Sequence, residues 1–457
     1  MPAQPQSPSP DSAAGDVPTT APDNCTTAAD LSQEGAPDVR ARVAAGPLRR
    51  ALRLASLAIR ARPEQPAHAG VTLTAQGSKL TVAAYRPYAD GGTDVAVTVV
   101  VEAEPGGTGR STLDQRELTR VLDAAVKGDS PAQAARTSID LKGATIATPD
   151  VAVPVRSYIT PVTAVPPAAP VVATVAGGEF FRQLTRILPV AAKDETLPIL
   201  TGVELRMSAG TLRLRASDRH RAAETVMPAQ PWDHHEDACA YRALIPSDVL
   251  RQMVKFSGTY EGPVAIGLPS ETVTTADVLR VPELSVAALE FGPATLTAWR
   301  LDGVLPPSWF GPVADGGTLT LHRQDLIRAV RKARAMATAK GAAEQWAQVS
   351  LTHSAEEAGV VRVTPRLPQK HERDQTTGTA VPAVCGEQAA PLGGAPLITT
   401  GGYLLGALNA FDSDAVTFHL PPQRDGRNHA PFAITAHGEQ TEEGHRQHLV
   451  PVRRSQD

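Results

Sequence analysis

Apolar and polar residues change period several times along this chain, and the changes recur in the same order. From Val203 to Ala216 every second residue is apolar (Val203, Leu205, Met207, then Leu212, Leu214, Ala216), with Ser208-Ala209-Gly210 between the two sets. That alternation predicts a hairpin of two strands facing one core. The polar run Ser217-Asp218-Arg219-His220-Arg221 then reads as a turn. Upstream the spacing is helical: Leu48, Leu52, Ala55 and Ile59 share one side of a helix that starts at Pro47, while Arg49, Arg50, Arg53 and Arg60 lie largely off it. Comparable spacing predicts helices over about 113–126, 180–192, 246–256, 324–339 and 403–411.

The pattern repeats at fixed offsets. A shift of 132 puts Leu52 on Leu184, Pro66 on Pro198, Gly70 on Gly202 and Leu73 on Leu205; a shift of 146 puts Phe180 on Leu326, Arg182 on Arg328 and Val203 on Val349. Repeats of this length are domains, since solenoid repeats run only to about 50 residues. Each copy reads helix, strands, helix, strands, so the expected fold class is α+β, three pseudo-repeated domains, each with two helices packed on antiparallel sheet.

The expected organisation is a disordered Pro/Ser/Ala-rich tail over 1–37, a first domain over 38–161, a Pro-rich linker over 162–172, a second domain over 173–312 and a third over 313–457. A polar, Gly- and Pro-rich stretch at about 365–396 reads as a loop insertion. Within the first domain a hairpin is expected over 71–84, a strand pair over 94–104 and a hairpin turn at Gly106-Gly107-Thr108-Gly109; the last strand is expected over 448–453.

Composition adds mainly exclusions. The formal charge of −4 over 457 residues rules out a uniformly basic surface, so any phosphate-attracting face must be local. Three dispersed cysteines give neither a disulfide framework nor zinc spacing, and no signal or membrane-spanning run occurs, so a cytoplasmic protein is expected. Trp232-Asp-His-His-Glu-Asp-Ala-Cys239 holds every metal-ligand type but lacks helical i, i+4 geometry, and no metal or cofactor is expected. The Gly106–Gly109 run lacks the Lys-Ser/Thr of a phosphate cradle, Asp218 beside His220 has no nearby nucleophile, and His445 and His448 read as surface residues. No catalytic fingerprint remains, so an enzyme is not expected.

Five segments in order carry a resemblance: Thr196-Leu-Pro-Ile-Leu-Thr-Gly202, Ala216-Ser-Asp-Arg-His-Arg-Ala222, Leu301-Asp-Gly303 with Pro306, Tyr403-Leu-Leu-Gly-Ala-Leu-Asn-Ala410, and Leu449-Val-Pro-Val-Arg453. Over about 38–454 the chain resembles the bacterial sliding clamp, the beta subunit of DNA polymerase III. The resemblance implies a homodimeric ring of six clamp domains with helices around a hole. Its expected partners are double-stranded DNA, held without regard to sequence, and DNA polymerase and clamp-loader subunits that dock through short linear motifs.

A sliding ring needs Lys and Arg that meet phosphates without reading bases. Arg50, Arg182 and Arg328 share one helix position across the three repeats, Arg186 and Lys332 share another, and Arg120 and Arg251 sit on the second helices. Arg62, Lys193 and Lys340 fall at the loop that follows the first helix. A solvated helix face would carry such residues too; their recurrence at one position favours DNA. The resemblance also carries a peptide pocket onto Leu200, Ser217, His220, Arg221, Ala222, Pro306, Tyr403, Pro431, Val450, Pro451 and Val452, although Val450 and Val452 alternate as core residues would. Departures from the family are Arg219 where Gly is usual, Ala222 where a large aliphatic is usual, and Gln447-His448 in place of apolar residues. They predict a smaller, more polar pocket and leave open a diverged interaction protein that has lost DNA threading.

Overall fold

The computed structural model describes residues 37–60, 62–87, 94–158, 168–232, 240–271, 286–311, 316–353, 359–368, 376–386, 396–422, 431–438 and 444–451. Residues 1–36, the His-His-Glu-Asp link, most of the Pro-rich linker and Val452 lie outside the described residues.

Seven α-helices occur among the described residues: α1 (Ala45–Ala55), α2 (Gln115–Ala125), α3 (Pro131–Arg136), α4 (Gly177–Ile187), α5 (Ser247–Ser257), α6 (Arg323–Ala339) and α7 (Gly401–Asn409). With the chain divided as the sequence leads one to expect, the first helix of each domain follows directly from a strand, Arg40–Ala44, Val171–Ala176 or Thr318–His322, with no side-chain cap. Burial of one stripe holds them instead: Leu48 and Leu52 in α1, Phe180 and Leu184 in α4, Leu326 and Val330 in α6. The short helix α3 is absent from the apolar periodicity. Its signal is the cap, where Ser130 and Gln133 form a reciprocal capping box and Pro131 opens the helix.

The helices lie side by side across domain boundaries. α1 packs on α2 and on α5, α5 packs on α4, and α6 packs on α7. Arg186 of α4 pairs with Asp412, just beyond α7, which joins the second and third domains on the same side.

Behind the helices, antiparallel ladders run from domain to domain. In a 13-stranded sheet, Ala294–Ala298 of the second domain pairs with Val95–Val99 of the first. In a 12-stranded sheet, Arg221–Val226 of the second domain pairs with Gly444–Leu449 of the third. Each domain boundary is therefore an interior seam of a sheet. One apolar core runs through the first two domains and another fills the third.

The opening hairpin is as its alternation predicts: Gly202–Ser208 pairs with Thr211–Ser217, and Gly210 turns the chain at φ 69°. Its first-domain counterpart is a single element, Gly70–Arg86, whose first half pairs with Arg110–Asp114 and whose second half pairs with Val95–Glu102; the register of the second ladder shifts just after Gly77, φ 61°.

Several sequence expectations are corrected. Residues 95–107 form one long strand rather than a pair. Gly106–Gly109 is no hairpin tip, because the strands it joins, Val95–Gly107 and Arg110–Asp114, pair with Gly70–Arg86 and not with each other. Gly109 is required there: at φ 85°, a Cβ would fall 2.3 Å from the Asp38 carbonyl oxygen. The centre of the expected insertion is a strand, Thr379–Cys385, paired with Val360–Val363 and with Leu319–Leu321. The last strand is Gly444–Leu449, not 448–453. It carries His445 and His448 into the seam between the second and third domains, where they are 2 % and 5 % exposed rather than at the surface.

Candidate functional site

The helix layer gathers the predicted phosphate contacts, but not all of them are available. Arg50, Arg62, Arg120, Arg182, Lys193, Arg328, Lys332 and Lys340 are exposed. Arg182 and Arg328, at equivalent positions of α4 and α6, each pair with an acid one turn earlier, Glu179 and Asp325. Such surface pairs are worth only about 0–1 kcal/mol, so a phosphate can displace the carboxylate. Arg50 lies at the rim of a cavity of about 520 Å³ between α1 and α5, lined by Leu54, Phe256, Tyr260 and Phe291.

Two of the predicted residues serve the fold. Arg186 is held by Asp412 and by the Gln183 side chain at the seam between α4 and α7. Arg251 donates from Nη2 to the carbonyl oxygens of Leu188 (3.0 Å) and Ala191 (3.4 Å), closing the C-terminal end of α4, and burial pulls its pKa below the usual arginine value. Recurrence in sequence cannot separate these two from the rest, since an arginine that caps a carbonyl and one that meets solvent occupy the same helix face.

The second site lies at the seam of the second and third domains, and its centre is the turn Ser217–Arg221. Ser217 Oγ donates to the Arg221 carbonyl oxygen (2.8 Å) and accepts from Arg219 N (3.2 Å). Asp218 Oδ1 accepts from the backbone N–H groups of His220 and Arg221, and Oδ2 accepts from Arg221 Nε at 2.9 Å. Asp218 is thus a turn anchor, as its local sequence suggests. Arg219, where the resemblance leads one to expect Gly, adopts φ 75°, which strains a side-chain-bearing residue.

The turn projects His220 and Arg221 onto the third domain. The His220 ring stacks on Tyr403, centroids 5.6 Å apart, and meets Trp346 edge-on at 6.2 Å. Arg221 lies over the Tyr403 ring at 5.1 Å and donates to the Pro189 carbonyl oxygen at 2.6 Å. Gly406 makes room for it, since a Cβ there would come within 2.7 Å of Arg221 Nη1. Val450 N donates to the His220 carbonyl oxygen, which brings the terminal segment to the same place, with Pro451 buried and Val450 42 % exposed. Pro431 is exposed and precedes Phe432, which pairs with Leu449.

The remaining predicted residues lie deeper. Leu200 and Ala222 are 3 % and 5 % exposed, in a cluster with Leu244, Leu305 and Phe310, while Pro306 is half-buried at its edge. Trp346 and Phe310 were missed by the sequence reading. Trp346 follows an Ala-Glu-Gln run with no periodicity, and Phe310 sits among Pro, Ser, Trp and Gly without a pattern to mark it as inward. Among the described residues no group of three His, Cys, Asp or Glu side chains could hold a metal ion, and no helix is long and apolar enough to cross a membrane.

The chain is similar to known proteins over part of its sequence and most of its fold. Residues 174–280 match the family described as DNA polymerase III beta subunit, central domain. The chain is 24 % identical over 250 residues to the beta sliding clamp homolog GriR of Streptomyces muensis, a match covering 54 % of this chain and 59 % of that protein. To the beta sliding clamp of Streptomyces coelicolor it is 28 % identical over 222 residues, 48 % of this chain and 54 % of the relative. The sequence matches thus span little more than half the length of these relatives. The fold extends further: the crystal structure of the DNA polymerase III subunit beta from Pseudomonas aeruginosa superposes with a TM-score of 0.69 over 91 % of this chain and 100 % of that one, at 16 % identity.

Proposed function

We propose that this chain, which belongs to the family of bacterial DNA polymerase III beta subunits, the sliding clamps, closes with a second copy into a ring around duplex DNA. In that ring it tethers replication proteins by short peptides docked at the seam of its second and third domains. It acts by topology rather than catalysis: threading keeps a weakly bound partner at high effective concentration along the duplex.

The observation that carries the reading is the repetition of one joint. Within the chain each domain lends a strand to its neighbour's sheet, once through Ala294–Ala298 on Val95–Val99 and once through Gly444–Leu449 on Arg221–Val226. The corresponding pieces at the two ends are unmatched among the described residues. Ala152–Pro154 ends the first sheet, and Thr379–Pro382 is paired on one side only. Two copies joined head to tail would satisfy both of these strands. The exposed arginines of α1, α4 and α6 would then face the enclosed duplex.

One observation favours a second reading, an interaction protein with the clamp fold that does not thread DNA. The first-domain end strand spans only three residues and includes a proline. Light scattering gives the solution mass, and retention on nicked circular DNA before and after linearisation decides between the readings. A dimer that stays on the circle in high salt and leaves the linear form supports the ring, because purely ionic binding is lost in salt. A monomer, or salt-stripping equal for both DNAs, sinks it.

A further inference from the structure

Two groups of apolar side chains meet at the seam of the second and third domains, a deep one closed to solvent and a shallow one open to it. The deep one is floored by Leu200 and Ala222, both nearly inaccessible. They share one buried cluster with Phe310, itself 3 % exposed, and Leu305, with Ile199 and Leu301 packed against it. Phe310 is held from both sides. Its backbone N–H closes the single 3-10 turn Pro307–Trp309 by donating to the Pro307 carbonyl oxygen at 3.0 Å. The Arg215 guanidinium sits 4.9 Å from its ring centroid, and Arg215 is fixed in turn by Glu224 at 2.7 Å and Glu204 at 3.6 Å, both buried. The shallow compartment is a shelf of rings, Trp346 (52 % exposed), His220 and Tyr403, bordered by Val450 (42 % exposed).

We propose that Phe310 is the specificity-determining residue of this cleft: it fills the deep compartment and restricts partners to peptides with a single aromatic anchor, received on the Trp346–His220–Tyr403 shelf. The inference rests on the reading that partner peptides dock at this seam. The occupant follows from the surface itself. Trp346 and His220 are exposed and meet edge to face, with Tyr403 half-buried against His220, an aromatic corner into which a partner's ring packs, whereas a second, neighbouring apolar anchor finds its place already taken. Ala222 fits this arrangement, because the small side chain leaves the volume into which Phe310 packs. A competing account is that Phe310 merely refills the space left by Ala222, with a two-anchor pocket still open above it. The two accounts differ in what happens when the ring is removed.

The test uses the full chain and two fluorescein-labelled decapeptides, one with adjacent Leu and Phe anchors and one with Phe alone, titrated by fluorescence anisotropy. Wild type is expected to bind the two within about twofold of each other, and Phe310→Ala to bind the two-anchor peptide about tenfold more tightly while the single-anchor affinity stays unchanged. Trp346→Ala weakens both peptides on the wild-type background. Should Phe310→Ala fail to give a cooperative melt, Phe310→Leu serves in its place, with a smaller gain of the same sign. A wild type that prefers the two-anchor peptide by about tenfold or more overturns the proposal, as does a folded Phe310 variant that binds it no better than wild type. Binding of neither peptide by wild type or variant overturns it too. Retention of the same variants on circular DNA is read in parallel. It does not involve Phe310, so failure of the ring and failure of this assignment give different results.

Discussion

His445 is buried beside Thr225, its partner across the interdomain ladder, 220 residues away in sequence. Its Nε2 accepts from the Gln447 amide at 2.8 Å, and the Thr225 hydroxyl donates to Gln183 Oε1, also at 2.8 Å, a network that suits the neutral ring. Burial, with Arg186 nearby and Asp412 opposing, lowers the His445 pKa to about 3; burial, with Arg446, His419 and Arg215 nearby, does the same for His448. Unfolding returns both rings to the ordinary histidine range. Below about pH 6.5 the unfolded chain binds protons that the folded chain refuses, so stability falls by about 1.4 kcal/mol per pH unit for each ring. Stability is full above that pH and declines as pH drops towards 3. Urea unfolding at pH 7.5 and 5.5 is expected to show a loss of about 2.7 kcal/mol from the pair, and the double variant His445→Gln, His448→Gln should flatten this window. An unchanged drop in that variant would assign it to other groups. None of this was legible in sequence, where two histidines around a glutamine read as surface; the partner strand that buries them lies in another domain.

Helices were the most legible elements, because α1, α4 and α6 each bury one stripe and their boundaries shift by only a few residues from the periodic pattern. Seam strands were less so. Gly444–Leu449 alternates polar with polar, since its core-facing side meets Thr225 and Gln183 rather than an apolar sheet. The end strand Ala152–Pro154 poses a related problem of register. Pro154 stands opposite Thr145 as Thr297 stands opposite Ala288 and His448 opposite Ala433. Val151 O and Val155 N bond inward, to Thr148 and Ala144, so the alternating ladder aims Pro154 outward, towards the place of a joining strand. Proline offers no N–H there, which weakens pairing by about 0.5–1.5 kcal/mol for each joint. Pro154→Thr is accordingly expected to lower the dimer dissociation constant by about threefold or more in sedentation-equilibrium or light-scattering titrations. A dimer unaffected by, or loosened by, this change would show that the joint does not continue the ladder.

The whole molecule carries a net charge of −4, so the proposed DNA affinity would have to come from one face. Arg182 and Arg328 are exposed at equivalent positions of two domains, whereas Arg251 is built into the structure. Charge reversal at Arg182 and Arg328 should shorten the time a circle is held at low salt and reduce the salt dependence by about one ion per lost phosphate contact, with the melting temperature nearly unchanged. Arg251→Ala should instead lower the melt, because two carbonyl groups lose their donor. The sequence showed where positive charge recurs; only the packing shows which charges are already spent. The shared ladders have one more consequence. Because Ala294–Ala298 completes the sheet of the first domain, the covalent link across 159–167 is not what keeps the first two domains together. A protease site engineered into that link should yield two fragments that co-elute as one particle, and the chain could be begun at the second domain and finished with the first. The domains are bound as pages are sewn into a book, through the sheets themselves.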